Sequence, residues 1–441
     1  MSGPSPQPSA TPSAPPATAT SGRIHIDATG AIAVFGMGYA KGDVIDRGRV
    51  DTFHTEYPQV GLTFSENAFD STAFLTALQG LTPPDVVRIP RDRLGSYVAR
   101  GILEPLDDCI GRTGVKLGDF RDAAVKQVTV AGKVYGMPEF FWVSNWLVDN
   151  DLFAGARIKP ASWDVSDWEA IRAAGQALRS RTKARVAIDP RVWQDGGVFP
   201  LWVAAAGGRM LSDDGKESLL DTREVTQALS YVKSLVDAAG GAAAITSRLG
   251  KAGTAGNMFS NNVEGAFPVS QEYLAGLAVL APKTRFTARP FLTRDRKNVT
   301  YEEGDALAIL ANSDNKDAAC AFVTAMTATE AWVAGARQQL QESQAAKRIE
   351  TGAATGNKAA DGEIFNDLVD VRGRTAYRRA INAYRSTFDA AVGMPASPSA
   401  EEFRQAWIDA IERVLAGEAD VGTALRQADQ EAQDAIDSAA P

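Results

Sequence analysis

The chain has 441 residues, 45% hydrophobic and 23% charged, with a formal net charge of -8 at neutral pH. That length is more than one hydrophobic core usually serves, so two lobes or domains are expected, and the composition is that of an ordinary globular protein, not a disordered one. No stretch nears the roughly 20 apolar residues that span a bilayer as a helix, and the acidic balance disfavours nucleic acid, whose capture rests on clustered Lys and Arg.

In chain order, residues 2–22 are almost wholly Pro, Ser, Ala, Thr and Gly. Such a segment cannot bury enough apolar area to offset the entropy of ordering it, so residues 1–22 read as a disordered tether. From Ile24 the pattern becomes strand, helix, strand: an apolar run at 31–35, a Gly-rich loop, a helical run through Val50, Phe53 and Tyr57, and a strand at 60–64. A helix over 74–78, a strand over 85–89 and a helix from about Arg93 follow. Strands alternating with helices imply a largely parallel sheet covered on both faces. Ligands of such sheets sit beyond the carboxyl ends of the strands, which singles out the loops at 36–41, 65–70 and 90–93.

A tight turn at Gly132 then feeds an extended segment ending in Pro138, Glu139, Phe140, Phe141 and Trp142. Side chains alternate along extended backbone, so three successive rings cannot all enter one core. Either Trp142 faces a cleft while Phe141 packs, or the reverse.

A second unit begins after Trp142. Ser166 is placed as the N-cap of a helix with Glu169 three residues on. Further helices are expected over 199–206, with Trp202 in the core, and over 224–239, and residues 351–362 read as a loop or irregular passage. From Glu401 the residues Phe403, Trp407, Ile411 and Val414 recur at helical spacing, the helix stops at Gly417, and another starts near Val421.

Little in the chain points to catalysis. Its two histidines, His25 and His54, lie near no Ser or Cys nucleophile motif, and GxSxG, HExxH and P-loop patterns are absent. The loop at 36–41 lacks the third glycine of a dinucleotide fingerprint, and the acid pairs Asp107-Asp108 and Asp213-Asp214 read as solvated loop charge. Cys109 and Cys320 fit no zinc spacing and read as packing thiols, with a pairing between them left open. No catalytic residue, metal or cofactor is therefore expected.

Pro84-Asp85-Val86-Val87-Arg88, followed by Tyr97, Gly101, Leu103, Pro105 and Leu106, resembles the PDV, Y-x-x-x-G-x-L-x-P-L signature of the family 1 extracellular solute-binding proteins, the group that contains the maltose and maltodextrin binders. Other blocks follow in that family's order: Phe53 with Tyr57-Pro58; the G-K-x-Y-G-x-P run from Gly132 to Pro138 with Asp151-Leu152-Phe153; Pro160 to Trp163; Gly207-Gly208; and the return strand at 303–309 with the K-x-A-A-x-x-F helix at 316–322. Val148-Asp149 and Glu303-Gly304 depart from the family pattern, and nothing after Gly335 matches it clearly. These departures put the ligand class in doubt more than the fold.

The resemblance implies an α/β fold of the two-lobe periplasmic-binding-protein type (type II), each lobe a mostly parallel sheet flanked by helices, with the ligand cleft between the lobes. Residues 23–140 and 304–345 would form lobe 1; residues 141–303 and 346–441 would form lobe 2. It further implies a monomer that captures a carbohydrate, of oligosaccharide size given the number of rings, and hands it to an ABC transporter permease. A Pro/Ser/Thr/Ala leader resembles the segment that follows the lipidated cysteine of surface lipoproteins. On that reading Met1 stands in the cysteine's place and the protein works at the extracellular face of the membrane, or in the periplasm.

Sugar recognition needs flat rings for the C–H face of a pyranose and polar tips for its hydroxyls. By resemblance, Trp142 and Asp92 occupy ligand-contacting positions, with Phe141 and Glu139 beside Trp142 in the crossover. The loop Trp193-Gln194-Asp195 reaches the ligand in the maltose binders; its plain alternative is a surface loop pinned by its ring. Gln271 and Glu272 follow the counterpart of another binding strand; the alternative is a helix start. Asp305 lies at the return crossover, and Tyr39 and Asn67 lie in first-lobe strand-end loops. Arg91 and Arg374 would matter for an anionic solute and otherwise read as surface charge. Two further readings stay open: a noncarbohydrate solute such as a polyamine, peptide or anionic metabolite, and a glycan-acting enzyme on this scaffold.

Overall fold

The computed structural model describes residues 22–39, 43–192, 197–252, 259 and 261–439, so all of the expected tether except Gly22 lies outside the described residues. The first unit runs β1 (Gly30–Phe35), α1 (Val44–Glu56), β2 (Val60–Phe64), α2 (Ser71–Leu78), β3 (Val86–Pro90), α3 (Leu94–Ala99) and α4 (Asp107–Thr113). The hairpin strands β4 (Thr129–Val130) and β5 (Lys133–Val134) and the short β6 (Met137–Pro138) follow. β1 pairs in parallel with both β2 and β3, as expected of strands joined through helices. Asp43 caps α1 by accepting the Asp46 N–H at 2.9 Å, and Asp70 caps α2 by accepting the Ala73 N–H at 2.7 Å.

The second unit contains β7 (Trp142–Asp149), β8 (Val186–Ile188), β9 (Glu264–Ser270), β10 (Phe286–Arg289), β11 (Phe291–Leu292) and β12 (Asn298–Glu303). The chain then returns to the first sheet as β13 (Asp305–Ile309), and β14 (Ala391–Val392) comes late in the chain. The first sheet has the order β2-β1-β3-β13-β6; the second has β11-β12-β7-β9-β8, with β10 on β7 and β14 on β12. The two-lobe α/β architecture is therefore present, but both sheets are mixed where mostly parallel ones were expected: in the first, β13 runs antiparallel to β3 and to β6, and in the second the antiparallel pairs prevail. β7 runs antiparallel to β9, β10 and β12, and only β8–β9 and β12–β14 are parallel. The cause is topological: β7 enters the second lobe from the first and β12 leaves it, so neighbours in the sheet must run in opposite senses.

Local expectations meet the structure with small shifts. The helix Ala400–Ala416 buries Phe403, Trp407, Ile411 and Val414 and ends at left-handed Gly417. Trp202 is core, its indole N–H donating to the Pro190 carbonyl at 2.9 Å. The helix Trp168–Arg181 is capped by Asp167 instead of Ser166, because the longer carboxylate reaches the Glu169 N–H at 2.9 Å while Asp164 accepts from the Ser166 hydroxyl at 2.6 Å. The irregular passage from Thr351 ends at Asn357, whose side chain caps the helix Lys358–Asp367.

Cys109 and Cys320 form a disulfide across a sequence separation of 211, correcting their reading as packing thiols. The return strand β13 leads into the helix Lys316–Met326, which packs on α4, a proximity hidden by sequence distance. α1 lies along the helix Thr329–Ala345 at close range, because Gly48 meets Gly335: a Cβ on Gly48 would stand 2.7 Å from the Gly335 Cα. Among the described residues no helix is long and apolar enough to cross a membrane.

Candidate functional site

Two backbone segments, at 138–142 and 303–305, connect the two sheets, and a third stretch at 354–357 lies against the first of them; the three are tied by hydrogen bonds. The Glu139 N–H donates to the Asp305 carbonyl at 2.9 Å, and the Phe141 N–H to the Ala354 carbonyl at 3.1 Å. Gly304 (φ +154°) packs so tightly that a Cβ there would lie 2.1 Å from the Phe140 carbonyl, so a side chain would push the crossings apart.

Buried arginines of the first unit hold each crossing. Arg88 donates from Nε to Glu139 Oε2 at 2.6 Å and from Nη1 to Asp46 Oδ2 at 2.8 Å; Arg49 also pairs with Glu139 and lies 2.7 Å from Asp46. Arg91 donates to the Phe140 and Asp305 carbonyls at 2.7 and 2.8 Å, to Gln127 Oε1 at 2.8 Å, and to Glu302. Arg121 donates to the Thr355 carbonyl at 3.2 Å and pairs with Asp361. Burial would raise the Asp46 pKa, but the charges of Arg88 and Arg49 outweigh it and hold the carboxyl at about 2.

Above this network lies the floor of a cleft. Trp142 and Glu303 are register partners on β7 and β12 and leave the ladder on the same face. The Trp142 ring stacks on Phe140 with centroids 5.6 Å apart and 19° between planes, and its side chain hydrogen-bonds Glu272. A cavity of about 560 Å³ opens here, lined by Asp43, Phe140, Trp142, Gln271 and Glu272 and by the passage at 348–354. It draws on both units, from the start of α1 to the helix Glu272–Leu280. A hollow of about 730 Å³ on the second unit, beside Trp168, Tyr231 and Arg294, shares no residue with the crossings, and its rings are 8% and 5% exposed. It offers no open aromatic face.

Carboxylates dominate the floor. Glu272 keeps contact with water, yet the protein crowding it in the cleft raises its pKa to about 7, with the Asp305 charge adding to the effect and the Trp142 hydrogen bond opposing it. The same crowding raises the exposed Glu303 to about 7, reinforced by Asp92 and Glu302, and raises the half-buried Asp305 to about 6 against the pull of Arg88. Asp92 and Asp43 are raised for the same first reason. Asp43 and Glu303 escaped the sequence reading; the signals available were the helix-cap position of Asp43 beyond β1 and the adjacent Glu302-Glu303 pair, which alternation sends to opposite faces.

The structure brings Trp142, Glu272 and Asp305 together with these two, while Asp92 lies at the far end, 4.0 Å from Arg404 of the helix Ala400–Ala416. Other expected contacts have different roles. Phe141 is fully buried in a second-unit core, because alternation on the strand turns it away from Trp142. Glu139 and Arg91 are fully buried and committed to the ion pairs above. Gln271 is buried too, accepting the Val143 N–H at 2.7 Å and donating to the Phe141 carbonyl at 2.7 Å; it braces β7. Tyr39 stacks on Phe64 with centroids 4.4 Å apart, and Asn67 is exposed, its carbonyl accepting the Gly38 N–H at 3.1 Å. Arg374 is exposed just ahead of the helix Thr375–Arg385 and lines none of the cavity. Trp193, Gln194 and Asp195 lie outside the described residues.

The sequence pattern described as bacterial extracellular solute-binding protein matches residues 48–341. No curated protein matches the chain. Among solved structures, an ABC substrate-binding protein from Listeria monocytogenes in complex with cycloalternan superposes with a TM-score of 0.70 at 18% identity, covering 93% of this chain and 100% of that one. A cyclic alpha-maltosyl-1,6-maltose binding protein from Arthrobacter globiformis gives 0.65 at 21%, covering 93% and 100%. UgpB from Mycobacterium tuberculosis, in complex with glycerophosphocholine, gives 0.71 at 18%, covering 93% and 99%. These likenesses establish the shared fold.

Proposed function

Because the chain belongs to the bacterial extracellular solute-binding proteins, we propose that it captures a carbohydrate of oligosaccharide size in the cleft between its lobes and delivers it unaltered to the permease of an ABC transporter. The observation that carries this reading is the Trp142 ring on the floor of a cavity of about 560 Å³, edged by Glu272 and Asp43. A flat ring beside several acceptors suits the apolar face and hydroxyl rim of a pyranose. The cycloalternan complex of one protein with this fold, and the cyclic alpha-maltosyl-1,6-maltose for which another is named, support the same class of ligand.

The lobes exchange, in this proposal, at 140–141, 303–304 and 345–346, and the cleft shuts by rotation about the crossings. Only a solute that touches both walls favours the shut state, since a ligand shifts an equilibrium by its differential affinity alone. The protein acts as a monomer held at the extracellular face of the membrane by a lipid anchor ahead of its leader, and no bond is made or broken in the solute.

A thermal-shift screen against mono- and oligosaccharides tests the reading, because a ligand that binds only the folded state raises the melting temperature. Trp142→Ala should weaken the best sugar by roughly thirty-fold, the size of an aromatic hot spot of about 2 kcal/mol, with the fold intact. An unchanged Kd for that variant would remove Trp142 from the site; no shift with any sugar would remove the carbohydrate class.

A further inference from the structure

We infer that the solute carries a protonated amine beside its hydroxyls, as an amino sugar or a glycoside containing one does, and that Glu272, Glu303 and Asp305 receive it around the Trp142 ring. The inference rests on the carbohydrate reading above and narrows it.

The argument is one of charge balance in two layers. In the buried layer, Arg49, Arg88 and Arg91 are matched by Asp46, Glu139 and Glu302, which leaves that layer neutral. On the floor above, none of Glu272, Glu303 and Asp305 has an ion-pair partner within 4.0 Å among the described residues, and Asp305 adds its field to that of Glu272. The cations near the floor are already engaged at its end: Arg404 lies 4.0 Å from Asp92 and Arg93 lies 3.9 Å from Glu401. Of the described residues lining the cavity, Arg348 is the one cation, against Asp43, Glu272 and Glu350; Glu342, also in the lining, is paired with Arg47 at 2.8 Å.

Above about pH 7, where these carboxyls are ionised, a cleft that closes on a neutral sugar strips water from them with nothing to offset their charge, which is costly. An ammonium group supplies the missing charge through charge-assisted hydrogen bonds, and a cation beside the indole face gains a cation–π contribution. Anionic solutes meet the opposite field. Of the two arginines expected to serve an anion, Arg91 is fully buried and faces Glu302, and Arg374 lines none of the cavity.

The test uses the full chain and matched probes: glucosamine oligosaccharides, their N-acetylated and plain glucose counterparts, an aminoglycoside, and spermidine, each by thermal shift and calorimetry. The expected result is that an amine-bearing sugar binds at least about ten-fold tighter than its uncharged partner, and that its affinity alone falls as salt rises from about 20 to 300 mM, which shortens the screening length. Equal or better binding of the uncharged partner overturns the inference and leaves the carbohydrate reading standing. Binding of spermidine with none of the sugars overturns both the carbohydrate reading and the amino-sugar class. No binding by any amine-bearing probe also overturns it. Glu272→Gln with Asp305→Asn should remove the salt dependence; if the dependence survives, these carboxylates are not its source.

Discussion

Glu272, between the Trp142 indole, Asp305 and Asp43, has its pKa raised to about 7, by the partial loss of water around it in the cleft first and by neighbouring charge second. Glu303 follows to about 7 and Asp305 to about 6. Carboxyls raised in the folded state contribute stability that is full below their unfolded values, near 4.5 and 3.8, and is lost as pH climbs through 6 to 7. Asp46, held at about 2, works the other way: its contribution is full above 3.8 and lost as pH falls toward 2. The unliganded protein should therefore melt highest in mildly acid buffer and lose stability between about pH 5 and pH 8. Glu272→Gln should flatten that decline in a series of melts, and an unaltered slope would exonerate Glu272. At this scale the sequence was readable where alternation applies: one ring of the Phe140-Phe141-Trp142 run had to leave the core, and it is Trp142. It was not readable for Glu139, Arg91 and Gln271, whose partners are distant in the chain; Gln271 alone reaches back 130 residues to Phe141.

The crossings are short extended segments that gain rigidity from arginines beneath them. Replacing one member of a buried ion pair strands the other, at about 3–5 kcal/mol. Glu139→Gln, which leaves Arg49 and Arg88 undercompensated, should lower the unfolding free energy from urea melts by an amount in that range, whereas Arg374→Gln at an exposed helix start should leave it within about 0.5 kcal/mol of the parent. If Glu139→Gln melts like the parent, the network is not what secures the crossing. Helices with a clear apolar stripe, such as Ala400–Ala416, were legible to within a residue, because periodicity is local. The sense of β7 and β12 was not, since it depends on which lobe each strand enters.

Across the whole molecule, the helix Ala400–Ala416 packs its apolar face into the second-lobe core and reaches the first lobe with its opening turn: Ser71 donates to Glu401 at 2.6 Å, and Arg100 lies 3.0 Å from Glu402. One end of the cleft is thereby fastened while the end at Trp142, Glu272 and Asp43 opens into the cavity. The two-lobe plan was legible because motifs in order report a fold, while the link supplied by the helix Ala400–Ala416 was hidden by distance along the chain. The Cys109–Cys320 bond lies within the first lobe, away from the cavity lining. Reduction should lower the melting temperature of free and ligand-loaded protein alike, the cross-link being worth about 4 kcal/mol, while Kd stays as it was. A reduced protein that binds differently would show that the bond shapes the cleft. Because the second-lobe sheet up to β12 lies between those two cysteines in the chain, a protease nick there yields pieces that still travel as one band on a denaturing gel and separate only when thiol is added.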